Sequence, residues 1–153
     1  MRLDRDWIEA HIPHKGAMCL LEEVLDWSPG SIRCRATSHR SPGNPLRSRG
    51  RLGAACGIEY AAQAMAVHGA LLLGSNEVRA GKLASARGVT VGVARLDDCA
   101  GDLTATAHRV HGDAAMVLYD FTVADGSRVL LAGRATIAFT RHFPLRGADE
   151  DDR

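Results

Sequence analysis

Residues 53–74, GAACGIEYAAQAMAVHGALLLG, decide how the rest of the chain folds. The stretch is Ala-rich and apolar on nearly every face, broken by Glu59 and Gln63 one helical turn apart. A helix apolar all round belongs inside a protein, and an ionisable carboxyl carried inside with it is costly unless paired or used. The stretch therefore predicts a central helix ending at Gly74-Ser75-Asn76, with Glu59 as its chemical centre.

The sequence on either side supplies the cover for such a helix. Before it, Asp6 to His11 suit a short helix capped by Asp4 or Asp6 and closed at Ile12-Pro13, since the residue before a proline avoids helical backbone angles. Met18 to Trp27 is apolar and runs into the turn signal Ser28-Pro29-Gly30. Ile32, Cys34 and Ala36 then alternate with Arg33, Arg35 and Thr37, which predicts a hairpin. Ser38 to Leu52, with two prolines, two glycines and four arginines, reads as a long loop of the kind that carries function. After the helix the period becomes two: Val89, Val91 and Val93, then Leu103 to Val110, Met116 to Val123 and Val129 to Phe139, with breaks at Asp97-Asp98, Gly112-Asp113 and Asp125-Gly126.

A hairpin, a loop, one very apolar helix and a run of long strands predict an α+β fold in which a curved antiparallel sheet wraps around the helix, the hotdog architecture. At 153 residues, 46% hydrophobic and 24% charged, the chain is read as one domain over residues 1–145, with an acidic tail, residues 146–153, expected to be disordered. A net charge of +1, with basic residues interleaved with acids, and only 5% aromatics give no ground for nucleic-acid binding. Neither a signal peptide nor a membrane span is expected. Cys19, Cys34, Cys56 and Cys99 show no ligand spacing and read as reduced, buried thiols of a cytoplasmic protein. His68, nine residues past Glu59 on the helix, is expected to be a satisfied core or interface histidine, and His108, His111 and His142 lack partners at metal spacing, so no metal is expected.

Three segments in order carry a resemblance: Ile12-Pro13-His14-Lys15 followed by Met18-Cys19-Leu20-Leu21-Glu22-Glu23-Val24; Asn44-Pro45-Leu46-Arg47 with Gly50-Arg51-Leu52; and Gly57-Ile58-Glu59-Tyr60-Ala61-Ala62-Gln63-Ala64-Met65. Over roughly residues 8–140 the chain resembles the hotdog beta-hydroxyacyl-acyl carrier protein dehydratases, specifically the branch associated with aryl polyene pathways. The resemblance implies a lyase that eliminates water, syn or anti, from a 3-hydroxyacyl thioester. The substrate arrives on the phosphopantetheine arm of an acyl carrier protein, with no cofactor of the enzyme's own.

The roles carried over are these. Glu59 matches the family's catalytic carboxyl, and burial is expected to raise its pKa toward that of a general acid. Gln63, four residues on, is expected to hold the Glu59 rotamer, and His14 to contact substrate or pack the strand start. The N–H groups from Ala54 to Gly57, at the start of a helix, match the donors that polarise the thioester. Where the family places its catalytic histidine this chain has Asn44, whose amide cannot take a proton. The base is then His39 in the same loop or His14, a histidine of a partner subunit, or missing from a weakened homologue.

Arg40, Arg47, Arg49 and Arg51 form a basic loop, either a solvated surface or a seat for the acidic carrier protein. A homodimer, or a heterodimer with another hotdog dehydratase, is expected. The alternatives are a non-catalytic or half-site subunit of a hetero-oligomeric dehydratase, and a hotdog acyl thioesterase in which Glu59 activates water.

Overall fold

A computed structural model describes residues 3–74 and 80–140. The helix expected from the apolar stretch forms as α2, Gly57–Leu73, preceded by a tighter 3-10 turn at Ala54–Cys56. Gly74 ends it at φ 59°, a left-handed conformation that glycine adopts without a Cβ clash. The short N-terminal helix α1 is Arg5–His11. Asp4 caps it by accepting from the Trp7 N–H, and extended Ile12 closes it.

Six strands follow: β1 (Glu23–Ser28), β2 (Ser31–Ala36), β3 (Ala80–Val91), β4 (Leu103–Gly112), β5 (Met116–Asp125) and β6 (Arg128–Thr140). They make one antiparallel sheet in the order β1-β2-β4-β5-β6-β3. The hairpin turns fall where the breaks were expected, with Gly126 at φ 57° between β5 and β6. At the β4–β5 turn, Asp113 Oδ1 accepts from the N–H groups of Ala115 and Met116.

The period of two has its expected result. Leu103, Ala105 and Ala107 of β4, and Val117, Tyr119, Phe121 and Val123 of β5, are buried and face α2, while their neighbours are more open. Gly57 lets the Leu131 side chain of β6 pack against the helix backbone: a Cβ there would lie 2.4 Å from Leu131 Cδ2. α1 seals the open side, burying Ile8 and Ile12 in the same core.

Three expectations are adjusted. Gly16–Met18 is a 3-10 turn and the first strand begins at Glu23, because Cys19, Leu20 and Leu21 are buried against the core and their backbone bonds lie outside the sheet: the Cys19 N–H donates to Gly16 O, the Leu20 N–H to Gln63 Oε1, and Ser38 Oγ donates to Leu20 O. The sheet does not cover α2 completely: Glu59 in its first turn is half-buried and Leu72 in its last is exposed. Among the cysteines, all free, Cys56 is only partly covered. Ser75, Asn76, His142 and the acidic tail lie outside the described residues.

Candidate active site

Glu59 opens toward the chain segment that leaves α1. Ile12 anchors that segment in the core, and Pro13 keeps it extended. Lys15 donates from Nζ to Ile12 O at 2.9 Å and to Glu9 O, and the Gly16 N–H donates to Glu9 Oε1 at 3.1 Å. So held, His14 places Nε2 3.1 Å from Glu59 Oε1, with the two side chains 22% and 31% exposed.

Gln63 fixes the other side. Its Nε2 donates to Met18 O at 2.8 Å and to Glu59 Oε1 at 3.3 Å, and its Oε1 accepts from the Leu20 N–H at 2.9 Å. One buried amide thus ties the helix to the segment after His14 and orients the carboxylate.

The electrostatics reverse the expectation drawn for Glu59. The His14 hydrogen bond, assisted by Gln63, outweighs desolvation and holds the carboxyl below its usual pKa. Glu59 is ionised at neutral pH, and the raised pKa expected of a buried acid is corrected: the group is half-open and partnered. An ionised Glu59 only accepts, so His14 Nε2 carries the hydrogen and Nδ1, buried without a partner among the described residues, is left as donor only when the ring is charged.

The loop residues hold structure instead. His39, expected in the solvated loop, is fully buried; its Nε2 bonds the carbonyls of Cys99 at 3.1 Å and Gly101 at 2.9 Å, clasping two loops together. The expectation of His39 as the base is corrected: its Nε2 is committed to those carbonyls, its Nδ1 is buried, and the histidine beside the Glu59 carboxylate is His14.

Asn44 is likewise buried. It donates from Nδ2 to Ser38 O and to the Tyr60 hydroxyl, both at 3.0 Å, and accepts from the Leu46 N–H at 2.9 Å. All its polar atoms are occupied, so it fastens the loop to α2. Tyr60 and Ser38, which the sequence reading passed over, complete this link with a 2.8 Å hydroxyl contact. The sequence signal for Tyr60 was its place beside Glu59, about 100° round the helix from it.

Arg47 is turned inward too, donating to Gly50 O at 3.0 Å and His39 O at 3.1 Å, 4.0 Å from Asp97. Arg40 binds Ala100 O and Asp102. Arg40 is exposed despite these bonds, as are Arg49 and Arg51 at the tight turn closed by mutual Ser48–Arg51 backbone bonds. The expectation for Ala54 and Gly57 is also corrected. The Ala54 N–H donates to Ala94 O at 3.1 Å and the Gly57 N–H closes the 3-10 turn, so neither is a free donor for a thioester oxygen. A concavity of about 380 Å³ borders this turn at Ala94, with Arg95, Arg128 and Cys99 in its wall.

A curved antiparallel sheet around one helix, with a carboxylate and a glutamine one turn apart near the helix start, places the chain in the hotdog class that includes dehydratases and thioesterases. Solved structures with this fold include the dehydratase heterocomplex ApeI:P from Xenorhabdus doucetiae. The match there is 23% identical, covers 88% of this chain and 91% of that one, and has a TM-score of 0.77. A mutant of a thioesterase from Staphylococcus aureus matches at 15% identity over 78% of this chain and 93% of its own (TM-score 0.57). A thioesterase from Haemophilus influenzae matches at 11% over 82% of each (TM-score 0.58). No curated protein matches the sequence. The family model described as ApeP-like, ApeP dehydratase, matches residues 7–143, and the chain belongs to that dehydratase family.

Proposed function

We propose that the reaction is dehydration of a 3-hydroxyacyl thioester, delivered on an acyl carrier protein, to the 2-enoyl thioester, with Glu59 and His14 as its acid–base pair. The single observation carrying this reading is the 3.1 Å contact between His14 Nε2 and an ionised Glu59.

The pair balances the reaction. Glu59 takes the α proton, the α–β double bond forms as the C–O bond breaks, and His14, in its imidazolium form, gives the Nε2 proton to the departing hydroxyl, which leaves as water and vacates Nε2. The proton now on Glu59 returns to His14 across the short contact, restoring the pair. Base and acid sit side by side, which favours removing both groups from one face of the substrate, a syn elimination. No cofactor beyond the carrier arm enters this scheme.

Pairing with a second hotdog dehydratase is part of the proposal. The Xenorhabdus relative is a heterocomplex, and β3, twelve residues long at the end of the sheet, pairs only on its β6 side among the described residues. A free edge of that length is the usual place for another strand to add. No helix among the described residues is long and apolar enough to cross a membrane.

The thioesterase alternative rests on likeness of fold alone. The test follows enoyl formation and free thiol separately from a 3-hydroxyacyl thioester, for the chain alone and mixed with a candidate hotdog partner. Enoyl product that is lost with Glu59→Gln supports the proposal; thiol release without enoyl product overturns it. Enoyl product from the mixture that survives Glu59→Gln in this chain reduces it to a supporting subunit.

A further inference from the structure

A second concavity, of about 300 Å³, lies at the far end of α2. Gly69 is ten residues past Glu59, about 15 Å along the helix axis, so this cavity is separate from the acid–base pair. Its walls are largely apolar, from Leu72, Leu73, Val117 and Phe139. Gly69 lets the Phe139 ring pack against the helix and form one wall: a Cβ there would lie 2.6 Å from that ring.

One cation stands in this apolar wall. Arg109 donates from Nη2 to Gly112 O at 2.8 Å, while its Nε is buried with no hydrogen-bond partner among the described residues. No carboxylate lies within ion-pair distance of it among those residues. Asp113 shares the wall and is ionised, but its Oδ1 is turned to the Ala115 and Met116 N–H groups of its own turn and it makes no ion pair with Arg109.

The neighbouring polar groups do not relieve Arg109. His68 Nε2 faces Ser28 O at 2.7 Å, an acceptor, so Nε2 carries the ring hydrogen. Nδ1 therefore accepts from the Tyr119 hydroxyl at 2.8 Å. Burial raises the Tyr119 pKa and lowers that of His68, and the Arg109 charge bears on both groups, which puts it close to them. Both groups are therefore neutral and supply the guanidinium no counter-charge, so its nearest negative charge is the unpaired Asp113 carboxylate of the same wall.

A half-buried guanidinium with an unused donor, in a largely apolar cavity, is complementary to a carboxylate on an apolar body. We infer that this cavity binds a small apolar carboxylate, with Arg109 holding the acid group and Leu72, Val117 and Phe139 covering the chain. The volume, at the small end for ligand pockets, fits a short or medium-length acid. The inference does not depend on the proposed reaction.

Calorimetric titration of the full chain with octanoate and with 1-octanol tests it without an activity readout. Octanoate should bind saturably at one site, at least about tenfold more tightly than octanol, as expected for a charge-assisted hydrogen bond. Arg109→Gln should weaken octanoate by that factor and leave octanol unchanged. Leu72→Trp, at a position exposed enough to accept the larger ring, should narrow the cavity and weaken both. The inference is overturned if octanoate fails to saturate, binds no better than octanol, or is indifferent to either substitution.

Discussion

Replacing Gln63 with leucine should damage the fold and the site together, because one side chain serves both. Gln63 is fully buried, and leucine nearly fills its volume, so loss of hydrogen bonds dominates over loss of packing. The Leu20 N–H and the Met18 carbonyl lose their partners. An orphaned buried polar group costs about 1–3 kcal/mol; Met18 is partly open, so its carbonyl lies at the lower end, giving about 2–4 kcal/mol in all. For a domain of this size that is a fall of about 5–15 °C in unfolding temperature. Chemical and thermal unfolding of the two proteins measure it.

The same substitution removes one of the hydrogen bonds that keep Glu59 charged, so the acidic limb of the rate profile should move to higher pH. A loss under about 1 kcal/mol would refute the view that this amide holds the segment after His14 in place.

Three further outcomes are expected. Glu59→Gln and His14→Ala should each lower enoyl formation by about 10²–10⁴ with little change in unfolding temperature, since both side chains are partly open; steady-state kinetics beside thermal melts check this. Gly57→Ala, forcing a methyl against Leu131, should destabilise by about 1–3 kcal/mol in urea titrations and leave the helix content unchanged. Burial keeps His39 and His68 neutral in the fold, with pKa values below the ordinary 6.5, so the unfolded chain binds more protons as pH falls. Stability should be full above about pH 6.5 and decline below it. His39→Gln should flatten that decline in unfolding titrations at pH 7.5 and 5.5; an unchanged slope contradicts the burial argument.

Local chemistry made most of the fold legible. Asp125-Gly126, the alternation through β4 and β5 and the all-round apolar face of α2 each act over a few residues, and each appears where the sequence puts it. The boundary errors arose where distant groups intervene: Cys19 to Leu21 look like strand by composition, but the Leu20 N–H is taken by Gln63, 43 residues away, and the Leu20 carbonyl by Ser38.

The site was legible only in part for the same reason. Glu59 and Gln63 are readable from their spacing on one helix. His14 lies 45 residues from Glu59 and meets it only because α1, Pro13 and the Gln63 clamp bring the segment back. His39 and Asn44 sit in a stretch that looks solvated by composition, and their burial comes from the packing of the loop against Cys99, Gly101 and Tyr60. The direction of the Glu59 pKa followed from a partner that spacing did not reveal.

The most direct test of the central claim is to follow the Glu59 side-chain carboxyl by carbon-13 NMR through a pH titration, in the native chain and in His14→Ala. The hydrogen-bonded pair requires a native pKa below the ordinary glutamate value and an upward move when the imidazole is removed. A native Glu59 that titrates at or above that value, or that ignores the loss of His14, contradicts the account.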